Sequence, residues 1–154
     1  MGNAYVMTSA VSALTAVPFF QIATPSATKI EVLSINIGQG AGETSEQAVL
    51  TLSRRSFNST FPVGNATSPR ALSQNSKATE LVAGTIQCAI GISTATGSLI
   101  DVLARRTFNV LNGLVYMPVP EERIISGSGG FLTGEFVVAP AANDYSVEIT
   151  IQEV

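Results

Sequence analysis

Residues 108–125 read FNVLNGLVYMPVPEERII. An apolar strand enters a turn, a second apolar strand leaves it, and a proline corner, two acids and Arg123 lead into a third apolar run. Asn112-Gly113 between apolar runs is the strongest short-range signal for a tight hairpin. Pro118 and Pro120 fix φ and remove two amide donors, so any β-ladder through them must stop. Three short extended runs in so few residues, with no helical period, set an all-β reading for the chain.

Working outward, the same grammar repeats. Residues 131–138 form an apolar run after the glycine-rich 126–130. At the end of the chain Tyr145, Val147, Ile149 and Ile151 alternate with Ser146, Glu148, Thr150 and Gln152, the period of a half-buried strand. Upstream, residues 99–110 are ambiguous. Leu99, Val102 and Leu103 fit a helix, whereas Ile100, Val102, Ala104, Phe108 and Val110 share one strand parity, and the absence of a helix cap beside so many β runs favours a strand. Residues 85–92 and the alternation of Ala48, Leu50 and Leu52, ending at Arg54 and Arg55, give two more. In 29–39 the phase flips. Ile30 and Val32 share one parity and Leu33, Ile35 and Ile37 the other, which predicts a bulge or a change of face. Phe19 to Ile22 follow Pro18 as a short strand, and residues 1–16 read as an arm or an edge strand. Residues 56–83 are polar and irregular, a long excursion of the functional kind. The sum is eight to ten short strands in a single domain over 1–154. The expected architecture is an antiparallel β-sandwich, jelly-roll-like, with an extended N-terminal arm and 56–83 as a contact loop.

Composition narrows the function classes. Only 12% of residues are charged, against about 25% in a typical domain, and 16 Ser and 15 Thr carry the polarity instead. Two readings fit: a Ser/Thr-rich secreted-type β domain, or a subunit whose surface is covered by copies of itself or by partners. A net charge of −3 without a basic run opposes direct nucleic-acid binding, which needs a basic face, and binding to an anionic membrane. No apolar run is long enough for a spanning helix. The sequence has no histidine and one cysteine, Cys88. That excludes a His/Cys zinc site and any Ser-His or Cys-His nucleophilic pair. Gly38-Gln39-Gly40 follows a strand as a dinucleotide loop would, but Glu43 stands where the third glycine belongs and no helix opens. No catalytic residue, metal or cofactor is expected.

Two clusters stand out as interface candidates. Arg54-Arg55-Ser56-Phe57-Asn58 and Arg105-Arg106-Thr107-Phe108-Asn109 repeat one pattern 51 residues apart. Either this is coincidence at solvated strand ends, or two arginine pairs share one rim and meet carboxylates of a neighbour. Glu121 and Glu122 are the matching acids, and with Arg123 they also suit a structural role at the proline corner.

The run Phe108, Asn109, Val110, Gly113, Tyr116, Pro118, Pro120, Glu121, Glu122, Arg123 and Ile124 resembles the signature of a family of small tailed-phage virion proteins. Weaker similarity extends to KIEVLSINIGQ, TSPRAL and SVEITIQEV. The resemblance implies a virion component. Within that class, size and β content favour a capsid cement or decoration protein on the capsid surface, with the major capsid protein and its own copies, as a homotrimer, for partners. The alternative is a head-fibre or tail adhesin that binds host glycan.

Overall fold

The computed structural model describes residues 4–14, 18–24, 29–40, 45–56, 65–67, 70–71, 86–92, 94–127, 129–138 and 143–154. They form two antiparallel sheets. The first holds β3 (Ile30–Gln39), β12 (Asn143–Glu153), β1 (Ala4–Leu14) and the two-residue β6 (Arg70–Ala71) in that spatial order. The free side of β3 carries β9 (Leu114–Tyr116) and β10 (Ile125–Ser126). The second sheet runs β5 (Asn65–Thr67), β7 (Gln87–Ile90), β2 (Pro18–Ala23), β11 (Gly130–Phe136), β4 (Gln47–Ser56), β8 (Leu99–Asn109). The all-β antiparallel sandwich expected from the sequence is the observed fold.

The core lies between the sheets because each strand alternates. β12 contributes Val147, Ile149 and Ile151, and β3 contributes Ile30, Val32, Ile35 and Ile37. The flip of phase in β3 is a bulge: Thr150 pairs with Ser34 but Ile151 with Val32, which leaves Leu33 as the extra residue. A second bulge serves the core directly. Gly134 pairs with Phe20 and Glu135 with Pro18, so Phe19 is extra, and consecutive Phe19 and Phe20 both turn inward. Gly134 faces the Phe20 ring so closely that a Cβ there would sit 2.2 Å from it.

Three expectations need correction. Residues 4–14 are not an arm. β1 pairs with β12 from Ala4↔Gln152 to Leu14↔Asn143 and buries Tyr5 and Met7. The cause is the alternation of buried Tyr5 and Met7 with the less buried Ala4, Val6 and Thr8, which suits a one-sided sheet strand. Residues 1–3 and 15–16 lie outside the described residues. Within the expected 56–83 loop, β5 extends the second sheet and β6 the first, and the rest of that segment lies outside the described residues. Finally, Asn112-Gly113 does not close a hairpin. β8 belongs to the second sheet and β9 to the first, so the turn carries the chain across the sandwich. Asn109 organises it: its carbonyl accepts from the Asn112 and Gly113 amides at 3.0 and 3.1 Å, and its Oδ1 accepts from the Leu111 amide at 2.9 Å. Gly113 has φ +71°, and a Cβ would fall 2.5 Å from the Ile37 carbonyl oxygen. Both the left-handed backbone and the close approach need glycine.

The connection from β7 to β8 must cross the outer face of the second sheet, because its ends lie on opposite sides of β2, β11 and β4. Residues 91–92 and 94–98 belong to that strap. Gln21 on β2 donates to the Thr96 carbonyl at 3.0 Å and accepts from the Thr96 amide at 3.0 Å. Arg55 on β4 donates to the Gly97 carbonyl at 2.8 Å and pairs with Glu135 on β11 at 2.6 Å.

Cys88 on β7 is fully enclosed, and burial pushes its thiol from 9.0 up to about 12. The folded state therefore holds this proton more tightly than the unfolded chain. Its contribution to stability is complete below about pH 9 and is lost as pH rises towards 12. We expect Ellman's reagent to label native protein at pH 8 at least about 100-fold more slowly than protein unfolded in urea, since only exposed thiolate reacts. Equal rates would show that Cys88 is accessible.

Candidate functional site

The candidate site grows from 108–125. Phe108, Val110, Leu114, Tyr116 and Ile124 enter the core. The intervening Leu111, Val115, Met117, Val119 and Ile125 face solvent, Val115 and Met117 at 71% exposure each. Pro118 and Pro120 lack the amides that a further strand would need, so this sheet edge offers side chains rather than backbone to a neighbour. Residues Pro120–Glu122 form a 3-10 turn, with the Glu122 amide donating to the Val119 carbonyl at 2.9 Å. Arg123 reaches Glu31 on β3 at 3.6 Å and fastens the turn to the sheet.

Alongside runs β8, the edge strand of the other sheet. Leu99, Ile100 and Val102 are exposed on it. Its pairing with β4 is irregular at Ile100 and Leu103, and bulges of this kind hinder addition of another strand. The two sheets touch at two points near these edges. The Arg106 guanidinium lies 5.1 Å from the Tyr116 ring centroid, and Arg54, paired in register with Asp101 of β8, donates to the Ile125 carbonyl at 3.4 Å. An Arg over a Tyr face contributes about 0.5–1 kcal/mol when exposed. Burial raises the Tyr116 hydroxyl above its usual pKa, with Arg106 opposing the shift and Glu122 adding to it. The exposed apolar side chains of the two edges project to different sides: Val115 and Ile125 pair with Asn36 and Glu31 on the outer side of the first sheet, and Leu99 and Val102 with Arg55 and Ser53 on the outer side of the second. Of the eleven exposed large apolar side chains among the described residues, eight lie on or beside these two edges and three (Val137, Val138 and Val154) do not. Apolar side chains gathered at strand edges in this way are candidates for contact with a partner.

The seven residues singled out in the sequence divide. Arg105, Arg106, Glu121 and Glu122 are exposed along these edges, Arg105 beside Thr51 on the outer side of the second sheet and Arg106 turned the other way, towards Tyr116. Arg123 serves the fold through Glu31. Arg55 is internal, held by Glu135 and the strap, and Arg54 braces β4 against β10. The two arginine pairs do not share a rim. In the antiparallel register Leu50 pairs with Arg106 and Arg54 with Asp101. Two copies of a motif near the C-terminal ends of antiparallel strands must fall apart along the pair, here by four to five positions, or roughly 14–17 Å.

Sequence reading missed two features. One is the polar layer of Gln21, Ser53, Thr133, Arg55 and Glu135 beneath the strap, signalled only by Gln21 inside the otherwise apolar PFFQIA. The other is an open groove of about 780 Å³ on the outer face of the first sheet, floored by Asn36, Gly38, Ser146 and Glu148 and walled by Leu111 and Val115. Asn36 donates to Glu148 at 3.1 Å there. Every aromatic side chain among the described residues is buried, so none lines the groove. Among the described residues no three acidic or cysteine side chains cluster as a metal site would require. Comparison with known protein families, with curated proteins and with solved structures found no match.

Proposed function

We propose that this protein is a virion structural component, a cement or decoration protein that docks on the outside of a phage head and ties neighbouring capsomers together. The observation that carries the reading is the set of exposed apolar side chains along the β8, β9 and β10 edges on a chain so poor in charge. Such edges suit a protein that acts by covering area. The strand order adds support. β1-β12-β3 flanked by β9 and β10, facing β2-β11-β4-β8, is compatible with the two Greek keys of a jelly-roll-like sandwich. Each copy contacts the major capsid protein and its own copies, in a homotrimer, so many weak contacts act together. The resemblance of 108–125 to phage virion proteins points the same way.

Sedimentation with empty heads tests this. The purified protein is expected to co-sediment in a saturable ratio and to raise the temperature at which the heads rupture. A chain that leaves the heads in the supernatant overturns the reading. The groove by Asn36 and Glu148 favours a second reading, an adhesin for host glycan, because it is open and polar-floored. The burial of every described aromatic ring weighs against it. Selective glycan-array binding lost in Glu148→Ala would establish that reading instead.

A further inference from the structure

We propose that Asn112-Gly113 is a site of spontaneous covalent modification, held unreactive by the fold and reacting when the turn between β8 and β9 opens. An Asn-Gly pair carries its own nucleophile. The Gly113 amide nitrogen, once it loses its proton, attacks the side-chain carbonyl carbon of Asn112. A nitrogen–carbon bond forms, the side-chain amide nitrogen leaves as ammonia, and a five-membered succinimide remains. Water then opens the ring at either carbonyl. One product is aspartate. The other is isoaspartate, in which the chain runs through the side-chain carbon and is longer by a backbone atom. Glycine favours the closure because it has no Cβ to obstruct it and turns freely about its backbone bonds. Asn-Gly occurs nowhere else in the sequence.

The fold leaves the electrophile free and restrains the nucleophile. Asn112 is exposed, and its side chain takes no part in the bonds of the turn. The Gly113 amide donates to the carbonyls of Asn109 and Val110 at 3.1 and 3.2 Å, which points its N–H into the turn. On its other side the glycine lies against the Ile37 carbonyl, where a Cβ would come within 2.5 Å, and Leu114 pairs with Ile37 directly after it. Asn109 is itself tied down, its Oδ1 accepting from the Leu111 amide and its Nδ2 donating to Ser45 at 3.0 Å. Ring closure needs the 112–113 peptide to swing towards the Asn112 side chain, and these contacts oppose that swing. The reaction therefore runs through the open turn, at a rate that follows the population of the open form. Hydrolysis of the ring does not restore the amide. The strand β9 is only three residues long, and its register with β3 begins at Leu114↔Ile37. An extra backbone atom just before it meets the Ile37 carbonyl without slack, so isoaspartate leaves β9 loosened. Either product also adds a carboxylate to the groove that Glu148 lines.

None of this depends on how the protein engages a phage head. The test follows the purified chain as it ages in mildly alkaline buffer. Labelling by isoaspartyl methyltransferase counts the product, and peptide mapping by mass spectrometry assigns it to position 112. Native protein is expected to react at least about tenfold more slowly than protein unfolded in urea. Asn109→Ala removes two fastenings of the turn and leaves Asn112-Gly113 as it is, so it should speed the native reaction about fivefold or more. Circular dichroism and melting temperature verify that this variant folds, and its rate in urea is expected to match that of wild type, which separates easier opening from altered chemistry. Aged protein rich in isoaspartate should exchange amide hydrogens faster over residues 112–116. Asn112→Asp, which adds the charge without the backbone atom, should exchange there as wild type does. Native and unfolded rates within twofold of each other, a folded Asn109→Ala protein that ages no faster than wild type, or aged protein whose 112–116 amides stay as protected as before would each overturn the proposal.

Discussion

Phe19→Ala is expected to lower the stability of the folded chain by about 3–5 kcal/mol, the range for a large ring removed from a packed interior. Phe19 is wholly enclosed. Its ring stands 5.4 Å from that of Phe136, 5.8 Å from Tyr145 and 6.1 Å from Phe20. Tyr145 belongs to the first sheet and the phenylalanines to the second, so this ring locks the two layers together. Edge and tilted contacts of this kind add about 0.5–1.5 kcal/mol each beyond area. Relaxation into the hole is hindered because Phe19 sits at a bulge, where its backbone is held by the Gly91 amide at 2.6 Å. A typical domain has only about 5–15 kcal/mol in hand, so the variant should melt roughly 6–20 °C lower. Urea unfolding, followed by fluorescence and far-UV circular dichroism, measures it. A loss below about 1 kcal/mol would mean that the ring does not bridge the sheets.

Gly97→Ala should be nearly as damaging, by about 2–4 kcal/mol, and by a different route. Gly97 has φ +80°, and a Cβ would fall 2.1 Å from the Ser56 carbonyl oxygen and 3.3 Å from the Phe131 ring. The left-handed backbone alone costs a residue with a side chain roughly 1–2 kcal/mol, and the carbonyl cannot step aside, because the Ser56 amide is bonded to Ser98 at 2.9 Å. The strap must lift. Lifting it takes the Gly97 carbonyl from Arg55 and exposes the Arg55–Glu135 pair to water. Hydrogen exchange mapped by mass spectrometry should therefore accelerate most in 94–98 and around Gln21, with the β1–β12 ladder affected less. Uniform acceleration over the whole chain, or none, would contradict a strap that opens locally.

These two positions also show what a linear sequence can and cannot convey. The period of each strand is a local property, set by which side chains must leave water, and so the alternation in β12, the bulge at Leu33 and the strand choice for residues 99–110 could all be read directly. The turn at Asn112-Gly113 could be located but not aimed. Its chemistry makes the chain change direction, and whether the next strand joins the same sheet depends on partners far away in sequence. The arginine repeat misled for the same reason, since similarity along the chain says nothing about antiparallel register. The exposed apolar edges were half visible. The odd positions from Leu111 to Val119 belong to an alternation that the sequence shows, but that they stay exposed at a sheet edge is decided only by the fold. The strap's polar layer was the least legible, because Gln21, Ser53 and Thr133 come from three strands that meet only in the fold.

The pairing of Ala4 with Gln152 sets a timetable for the newborn chain. At a synthesis rate of roughly 5–20 residues per second, β1 leaves the ribosome about 7–30 s before its partner strand exists. For that interval Tyr5 and Met7, destined for the interior, are greasy and unclaimed. Nor can β3 complete the first sheet in the meantime, since β12 lies between it and β1. The second sheet can assemble earlier, from β2, β4, β7, β8 and β11. Folding then finishes from the C-terminal end, when β12 slides between two waiting strands and closes the sandwich in one late step.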